Sequence, residues 1–363
     1  MRRRFDPTDD PASFGHHFIV GLQKSPVLTD HDKRLLSRLR PAGIVLFREN
    51  FAHDLPYEEW LALHACQLAD ARQCIERERI LVSIDHEGGQ VLRTPEPVTR
   101  FATAAAWSDQ AFAVGRAMGY ELRSLGVNVN FAPVADIHLN PDNPVIGERA
   151  LGTTPTAVEG AACEFLEGLE GAGVMGCAKH FPGHGATQSD SHLELPVLDV
   201  PLAVLREREL RPFAALIERG VRLVMTAHIV FPQIDPGVPA TLSERLLRGV
   251  LREELGYDGV VVSDDVGMQA VAELFSRPLT AARAVGAGCD LIVICAHLAD
   301  TGQALALAGG LAAAWRDGRL AQETLEHSHG RITSLLEDLP QYAVEELPSA
   351  VFARHREAGP VLG

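Results

Sequence analysis

The chain has 363 residues, of which 46% are hydrophobic and 22% are charged, the composition of an ordinary globular protein rather than a fibrous or disordered one. Its 48 acidic residues outnumber its 33 Lys and Arg residues, so the net charge is -15 at pH 7. Such a charge repels the phosphates of nucleic acids and the headgroups of anionic lipids, which argues against both as partners.

Three arginines follow Met1, but the residues after them are not those expected of an export signal. Asp6, Pro7, Asp9, Asp10 and Pro11 stand where the apolar stretch of a signal peptide would be. No uninterrupted run of 18 or more apolar residues follows, so no membrane span is predicted. The six cysteines form no C-x-x-C pair and are expected to be buried, reduced thiols. We therefore predict a soluble cytoplasmic protein and expect a monomer.

Eight short β-rich runs recur along the chain, and segments with helical periodicity separate them. Apolar residues in those segments recur at steps of three and four, as in residues 202–217. Strands that alternate with helices pair in parallel, and eight such units close into a barrel. The sequence thus predicts an α/β fold, a single (β/α)8 barrel of the TIM type. The predicted strands are 18–22, 43–47, 80–84, 127–131, 174–178, 223–226, 260–262 and 291–295.

An open, doubly wound sheet is the alternative architecture. No G-x-G-x-x-G or G-x-x-x-x-G-K-[ST] loop follows a predicted strand, which weakens the nucleotide-binding members of that class. No cofactor is predicted. Helical periodicity continues after the last strand, so we assign residues 1–340 to one catalytic barrel domain. Residues 341–363, which contain Pro348 and Pro360, are expected to form a poorly structured C-terminal tail.

Polar side chains that are unusual for a protein core follow five of the predicted strands. In a closed barrel the carboxyl ends of the strands converge on one face, which carries the active site of barrel enzymes. A single aspartate at such an end could simply cap the next helix, but capping does not explain acids, histidines and a lysine at five ends. These residues are Asp85-His86-Glu87, Asp136, Lys179-His180, His228 and Asp264-Asp265.

Residues 179–185, with the sequence KHFPGHG, carry the densest signal. The two histidines are four residues apart, as in a helical zinc motif, but the proline and the glycines prevent a helix. We interpret the segment as a strand end that enters a glycine-shaped loop and offers Lys179 and His180 to sugar hydroxyls. The pattern fits a structural role for His184 as well as a functional one.

Five residues further on, the chain reads Asp190-Ser191-His192. The carboxylate and the imidazole are two residues apart and can point the same way in an extended loop. A nearby carboxylate fixes the tautomer of a histidine and raises its pKa, which makes the ring a usable general acid near neutral pH. Most such triplets have no role, but this one lies close to the strand end at Lys179.

Two aspartates end the seventh predicted strand. Because successive side chains alternate across a strand, we expect only one of them to face the barrel mouth, as a nucleophile or an electrostatic group. We assign Asp265 to the N-cap of the following helix. Asp85, Arg93 and Arg149 lie on loops and add groups that can bind vicinal hydroxyls and ring substituents.

Taken in order, these motifs resemble those of the family 3 glycoside hydrolases of the bacterial β-N-acetylhexosaminidase (NagZ) type. The resemblance rests on D-x-E-G-G with Arg93, I-G-x-R, K-H-F-P-G-H-G, D-S-H, T-A-H-I and S-D-D, and it covers roughly residues 18–300. The combination of K-H-F-P-G-H-G with D-S-H is highly specific. Departures are few: His86 stands where the family often has Gln, and Val266-Gly267 where Leu-Ser is frequent.

The resemblance implies a role for each of these residues. Asp264 would be the nucleophile and His192 the acid/base, supported by Asp190. The implied activity is the removal of terminal N-acetylglucosamine with retention of configuration through a covalent glycosyl-enzyme. In that family the substrate is typically a muropeptide whose N-acetylglucosamine is linked to 1,6-anhydro-N-acetylmuramic acid, degraded in peptidoglycan recycling. The implied substrate-binding residues, with no metal among the implied ligands, are Asp85, Arg93, Arg149, Lys179 and His180.

Three alternative functions stay open. A histidine acid/base does not repel an incoming anion, so phosphate could replace water and make the protein an N-acetylglucosaminide phosphorylase. A metal-dependent barrel hydrolase fits less well, because residues 21–24 after the first strand contain no H-x-H pair. A catalytically silent sugar-binding protein is disfavoured because both implied reacting groups are present.

Overall fold

The computed structural model describes residues 11–188, 195–295 and 302–363 of the protein. In this part of the chain, eight parallel strands form a closed barrel in which each strand pairs with the next and the last pairs with the first. The strands are β1 (Phe18–Gly21), β2 (Gly43–Leu46), β3 (Leu81–Ile84), β4 (Val129–Asn130), β5 (Met175–Phe181), β6 (Leu223–Thr226), β7 (Val260–Asp265) and β8 (Leu291–Ile294).

Helices surround the barrel and connect successive strands. Within the described ranges, none of them is long and apolar enough to cross a membrane. A π-helix, Arg245–Glu254, connects β6 to β7. The α-helices are α1 (Asp30–Leu39), α2 (Tyr57–Ile75), α3 (Ala104–Trp107), α4 (Ala111–Ser124), α5 (Pro155–Gly171), α6 (Leu202–Glu207), α7 (Leu210–Glu218), α8 (Gln269–Phe275), α9 (Leu279–Ala287), α10 (Gln303–Arg316), α11 (Gln322–Asp338) and α12 (Ser349–His355).

Helix α1 illustrates how the sequence sets the ends of these helices. The hydroxyl of Thr29 accepts a hydrogen bond from the backbone N–H of Asp32, and the Asp32 carboxylate accepts the N–H of Thr29. This capping box satisfies N–H groups that have no partner inside the helix. Leu36 and Leu39 of the helix are fully buried against the barrel. Local capping and an apolar face together place the helix on the sheet.

The core has two layers, and the alternation of side chains along each strand separates them. In β2, Val45 packs inside the barrel, whereas Ile44 and Leu46 pack beneath the helices. In β8, Val293 packs inside the barrel and Ile292 packs beneath the helices. The interior of the barrel is therefore a packed core and not a channel, as the geometry of eight strands requires.

Helix α11 closes the end of the barrel at which the strands begin. Its Ile332 and Leu335 pack with the apolar residues inside the barrel. Arg331 of the same helix donates to the buried carboxylate of Asp290, the residue before β8, with Nη2 and Oδ1 2.7 Å apart. The opposite end, where the strands finish, remains accessible and carries the polar side chains.

The single (β/α)8 barrel and all eight predicted strands are confirmed. Two strands are longer than predicted, because β5 continues to Phe181 and β7 to Asp265. Lys179 and His180 therefore belong to a strand rather than to the loop after it, and so does Asp264. The backbone hydrogen bonds of a strand hold these side chains more firmly than a loop would.

The C-terminal segment, residues 341–363, packs on the barrel. Phe352 of α12 is buried and its ring lies 5.7 Å from that of Tyr57 between centroids. His355 contacts the buried carboxylate of Glu121, with Nδ1 and Oε1 2.8 Å apart. The expectation of a poorly structured tail is wrong, because apolar and ionic contacts outweigh the local effect of the prolines. A domain boundary at residue 340 stays a prediction.

All six cysteines are free thiols. Four of them are buried, as expected, and Cys74 is half-buried. Cys66 is exposed on the outer side of α2, so the expectation of burial is wrong for this residue. The apolar pattern around it is that of an amphipathic helix, and Cys66 falls on the solvent side.

Buried neutral histidines are expected to make the fold sensitive to acid. Burial lowers the pKa of His17 and of His64 from 6.5 to about 4, and His86 and His184 behave similarly. Between pH 6.5 and 4 the unfolded chain therefore binds more protons than the folded chain, and stability falls as the pH falls. At pH 5 each such histidine lowers the free energy of unfolding by up to about 2 kcal/mol. Asp265, whose pKa burial raises to about 7, acts in the opposite direction.

This acid sensitivity can be measured as the difference in Tm between pH 7.5 and pH 5, which we expect to be at least about 5 °C. His64 is a suitable single-site control because it lies on α2, where its Nε2 donates to the Leu125 carbonyl at 2.8 Å. Gln can keep that hydrogen bond without titrating. His64→Gln should therefore reduce the pH dependence of Tm. The same pH dependence in this variant, or none in the wild type, would contradict the explanation.

Candidate active site

A cleft of about 800 Å³, including its open part, lies at the carboxyl ends of the strands. The structure brings six of the predicted site residues to this cleft, although they come from four different strands or strand-end loops. Asp190 and His192, the other two, lie outside the described residues. The six that line the cleft are Asp85, Arg93, Arg149, Lys179, His180 and Asp264.

Two carboxylates and two cations form a continuous network on one wall of the cleft. The Lys179 ammonium contacts Asp85 Oδ1 at 2.7 Å and Glu87 Oε1 at 2.5 Å. Arg149 donates to Glu87 through both arms of its guanidinium, with Nε–Oε2 and Nη2–Oε1 distances of 2.8 Å. Glu87 was noted in the sequence as a strand-end acid but was not predicted as a site residue. Only the fold shows that it contacts both cations.

Contacts within the network favour the charged forms of Glu87, Lys179 and Arg149 in spite of their burial. Burial alone would raise the pKa of Glu87, but Arg149 and Lys179 hold it well below its usual value. Burial likewise would lower the pKa of Lys179, whereas Asp85 and Glu87 raise it. The pKa of Arg149 is raised by Glu87 against the same burial effect. Glu87, Lys179 and Arg149 are therefore charged at neutral pH.

Asp136 organises the two histidines of residues 179–185. Its Oδ2 lies 2.6 Å from Nδ1 of His180, and its Oδ1 accepts the backbone N–H of His184 at 2.6 Å. Because the carboxylate accepts a hydrogen bond from Nδ1 of His180, the Nε2 atom of the ring is the one that can interact with a molecule in the cleft. Burial alone would raise the pKa of Asp136, but His180 and His184 hold it below its usual value. The sequence indicated Asp136 as a strand-end acid without showing its partner.

The loop after β5 is shaped by close backbone contacts, as predicted from its glycines. A side chain at Gly185 would place its Cβ 1.7 Å from the carbonyl oxygen of Ile137, so only glycine fits. The side chain of Asn143 donates to the carbonyls of His184 and Thr187 from the other side. His184 is buried and borders the cleft, and burial lowers its pKa to about 4, so it is neutral near pH 7.

Asp264 is held as an anion in the cleft. Burial alone would raise its pKa, but His180, His228 and the backbone N–H of Asp265 hold it below its usual value. That N–H donates to Asp264 Oδ1 at 2.8 Å. His228, another strand-end residue without a predicted role, is fixed by the Thr241 hydroxyl at its Nδ1, 2.8 Å away. An ionised carboxylate at this position can act as a nucleophile at neutral pH.

We predicted that only one of the two aspartates of β7 would face the barrel mouth, but both border the cleft. The register between β7 and β8 shifts between Val262 and Asp265, and this irregularity interrupts the alternation of side chains. Asp265 is also not the N-cap of α8, which follows Met268. Instead, its Oδ1 accepts the backbone N–H groups of Gly267 at 2.8 Å and Cys295 at 3.1 Å. It thus links the ends of β7 and β8.

Arg93 reaches the cleft from the loop after β3. Its guanidinium lies over the ring of Phe47, 5.4 Å from the centroid. Stacking of this kind restrains the plane of the guanidinium and leaves its edge for hydrogen bonds. The position agrees with the predicted place of Arg93 in the site, while its contact with substrate stays a prediction.

The histidine pair of residues 179–185 does not form a shared metal-ligand set. The rings of His180 and His184 lie 5.9 Å apart and their Nδ1 atoms contact Asp136 and the Thr187 hydroxyl. Across residues 11–188, 195–295 and 302–363, no three His, Cys, Asp or Glu side chains are arranged to hold a metal ion.

Comparison with known proteins gives consistent similarities. Residues 14–335 match the family described as the glycosyl hydrolase family 3 N terminal domain. A beta-hexosaminidase from Thioalkalivibrio sulfidiphilus (strain HL-EbGR7) is 37% identical over 282 residues, 74% of this chain and 78% of that protein. A solved family 3 beta-N-acetylglucosaminidase from Paenibacillus sp. str. FPU-7 has a TM-score of 0.85 at 35% identity, over 98% of this chain and 69% of that chain. NagZ from Neisseria gonorrhoeae, in complex with N-trifluoroacetyl-D-glucosamine, has a TM-score of 0.72 at 28% identity, over 95% of this chain and 98% of that chain.

Proposed function

Because the chain belongs to glycosyl hydrolase family 3, we propose that it is a retaining exo-β-N-acetylhexosaminidase that removes terminal N-acetylglucosamine from glycosides. The observation that carries this proposal is the position of the ionised Asp264 in the same cleft as the donors Lys179, Arg149 and His180. A carboxylate opposite a set of fixed hydrogen-bond donors is what covalent glycoside cleavage needs. The names of the relatives support N-acetylglucosamine as the sugar.

In the first step, an oxygen of Asp264 attacks the anomeric carbon and the bond to the leaving oxygen breaks. His192, oriented by Asp190, gives its proton to that oxygen, so the leaving group departs as an alcohol. The sugar is then joined to Asp264 as an ester. In the second step, His192 takes a proton from water, which attacks the same carbon and releases the Asp264 carboxylate. Two inversions return the β configuration.

The wall network would bind the sugar that undergoes this reaction. Lys179 has three N–H groups, of which two are directed to Asp85 and Glu87. Arg149 uses three of its five N–H groups on Glu87 and on the Val145 carbonyl. One ammonium N–H and one N–H on each terminal nitrogen of Arg149 remain for hydroxyl or acetamido oxygens. These donors sit in a desolvated wall, where hydrogen bonds to charged groups are strong.

We further propose that the natural substrate is a muropeptide with a 1,6-anhydro-N-acetylmuramic acid aglycone and that the protein acts as a cytoplasmic monomer in peptidoglycan recycling. The support is the similarity to NagZ and to the beta-hexosaminidases. Six free thiols are compatible with a reducing compartment. Comparison of kcat/KM for N-acetylglucosaminyl-1,6-anhydro-N-acetylmuramic acid with that for chitobiose tests this proposal, and a preference for chitobiose would contradict it.

The activity itself is tested with a panel of 4-nitrophenyl β-glycosides. We expect the N-acetylglucosaminide to be turned over at least about 100-fold faster than the glucoside, because a site that binds an acetamido group leaves buried polar groups unpaired when it is missing. NMR of early product should show the β anomer, and a chelator should leave the rate unchanged. The α anomer, a sugar 1-phosphate formed in phosphate buffer, or loss of activity with chelator would each contradict the proposal.

A further inference from the structure

We propose that Glu87 is a positioning residue that presents Arg149 and Lys179 to the sugar and so sets the affinity for substrate. Its side chain is only 3% exposed, and its two oxygens carry three contacts with these cations. A carboxylate so occupied has little capacity to bind the sugar itself. Its influence therefore passes through the two cations it holds.

The backbone holds Glu87 in place on the N-terminal side of a tight turn. Its N–H donates to the Val91 carbonyl at 2.9 Å, and Gly88 and Gly89 adopt positive φ angles of 98° and 57°. A side chain at Gly88 would place its Cβ 2.4 Å from the carbonyl oxygen of Ala102. The two glycines are therefore required by the turn that directs Glu87 toward the cations.

Arg149 is held from two directions. Glu87 accepts its Nε and Nη2, and the Val145 carbonyl accepts its Nη1 at 3.0 Å. A planar guanidinium fixed at three nitrogens cannot rotate, so its remaining N–H bonds keep one direction. Without the Glu87 carboxylate, only the carbonyl would remain to hold it. Loss of the Glu87 carboxylate would also leave the Lys179 ammonium near the positively charged guanidinium of Arg149. Asp85 would then be the remaining anionic contact of Lys179.

Gln at position 87 separates this role from simple packing. Gln has nearly the same shape as Glu, but only its amide oxygen can accept hydrogen bonds. Its NH2 group would point an N–H toward one of the two cations, which offers no acceptor. We expect Glu87→Gln to raise KM about 10- to 100-fold, the range for hydrogen bonds to charged groups, while kcat falls by less than about fivefold. The substrate is the aryl glycoside that the wild type hydrolyses fastest, so an unexpected sugar preference contradicts the proposed function without affecting this test.

A double-mutant cycle asks whether Glu87 acts through Arg149. In an Arg149→Ala background, Glu87→Gln should change KM much less than it does in the wild type, because the group that it positions is absent. Equal changes in KM in both backgrounds would overturn the proposal. A crystal structure of Glu87→Gln gives an independent readout that needs no turnover. The guanidinium of Arg149 should be displaced or should have weak density, and an unchanged position would likewise overturn the proposal.

Asp290 provides a matched control, because it too is a buried carboxylate that holds two cationic side chains, in this case both arginines. Its Oδ2 lies 2.8 Å from Arg252 Nη2 and its Oδ1 2.7 Å from Arg331 Nη2, at the end of the barrel opposite the cleft. Asp290→Asn should lower Tm as Glu87→Gln does, but should leave KM within about twofold of the wild type. A comparable rise of KM in both variants would mean that loss of stability alone explains the effect of Glu87→Gln.

Discussion

Replacing Asp264 with alanine is expected to lower kcat on an aryl N-acetylglucosaminide by about 10⁴-fold or more, the scale seen when a covalent nucleophile is removed. The carboxylate is ionised because His180 and His228 favour the anion, and no proton has to leave it before attack. Substitution removes the group that forms the glycosyl-enzyme and leaves the binding donors in place. Steady-state kinetics of the purified variant measure the loss.

Azide can replace the missing carboxylate and identify its role. In Asp264→Ala the shortened side chain leaves room for a small anion beside the anomeric carbon. We expect added azide to restore part of the turnover and to yield an α-glycosyl azide, because only one inversion then occurs. Asp264→Asn, which keeps the shape, should be inactive and should retain its fold. Wild-type turnover in either variant, or a β-glycosyl azide, would be incompatible with attack by Asp264.

Replacing His192 with alanine is expected to slow hydrolysis in proportion to the basicity of the leaving group. General acid catalysis contributes about 10² to 10⁴-fold when the leaving oxygen must be protonated. A natural sugar aglycone is such a group, whereas 2,4-dinitrophenolate departs without a proton. The ratio of kcat/KM between wild type and His192→Ala should therefore be large for alkyl or sugar aglycones and small for the dinitrophenyl substrate.

Replacement of Asp190 tests whether this residue orients His192. If it orients His192, Asp190→Asn should show the same leaving-group dependence with a smaller amplitude. Both residues lie outside the part of the chain that the structure describes, so these roles depend on the D-S-H motif and its resemblance to the family. A loss that is equal for all leaving groups would assign His192 to substrate binding and not to proton transfer.

The loss expected for Asp264 is large because its environment combines attraction and burial. An ionised carboxylate that is partly removed from water is unfavourable by itself, and the site offsets this with the two histidines and a backbone N–H. Asp265, one residue further, has the opposite balance, since burial raises its pKa to about 7. The pKa values of two neighbouring aspartates are thus displaced in opposite directions because their surroundings differ.

The barrel and the composition of the cleft followed from sequence because they depend on local patterns. Apolar runs at regular intervals identify strands, and parallel strands bring their carboxyl ends together whatever their separation in the chain. This is why the sequence predicts that Asp85, Lys179 and Asp264, which are far apart in the chain, share one pocket. The resemblance of the motifs added the roles, which composition and periodicity do not contain.

Only the tertiary structure decided which charged groups are partners. The sequence placed Glu87 and Asp136 at strand ends, but their contacts with Arg149, Lys179 and His180 join residues 44 to 92 positions apart. Such pairings depend on register, as the β7–β8 irregularity at Asp265 also does. Hydrophobic periodicity acts over a few residues and is visible in the sequence, whereas the choice of an ion-pair partner is made by packing between distant elements, which one sequence does not display.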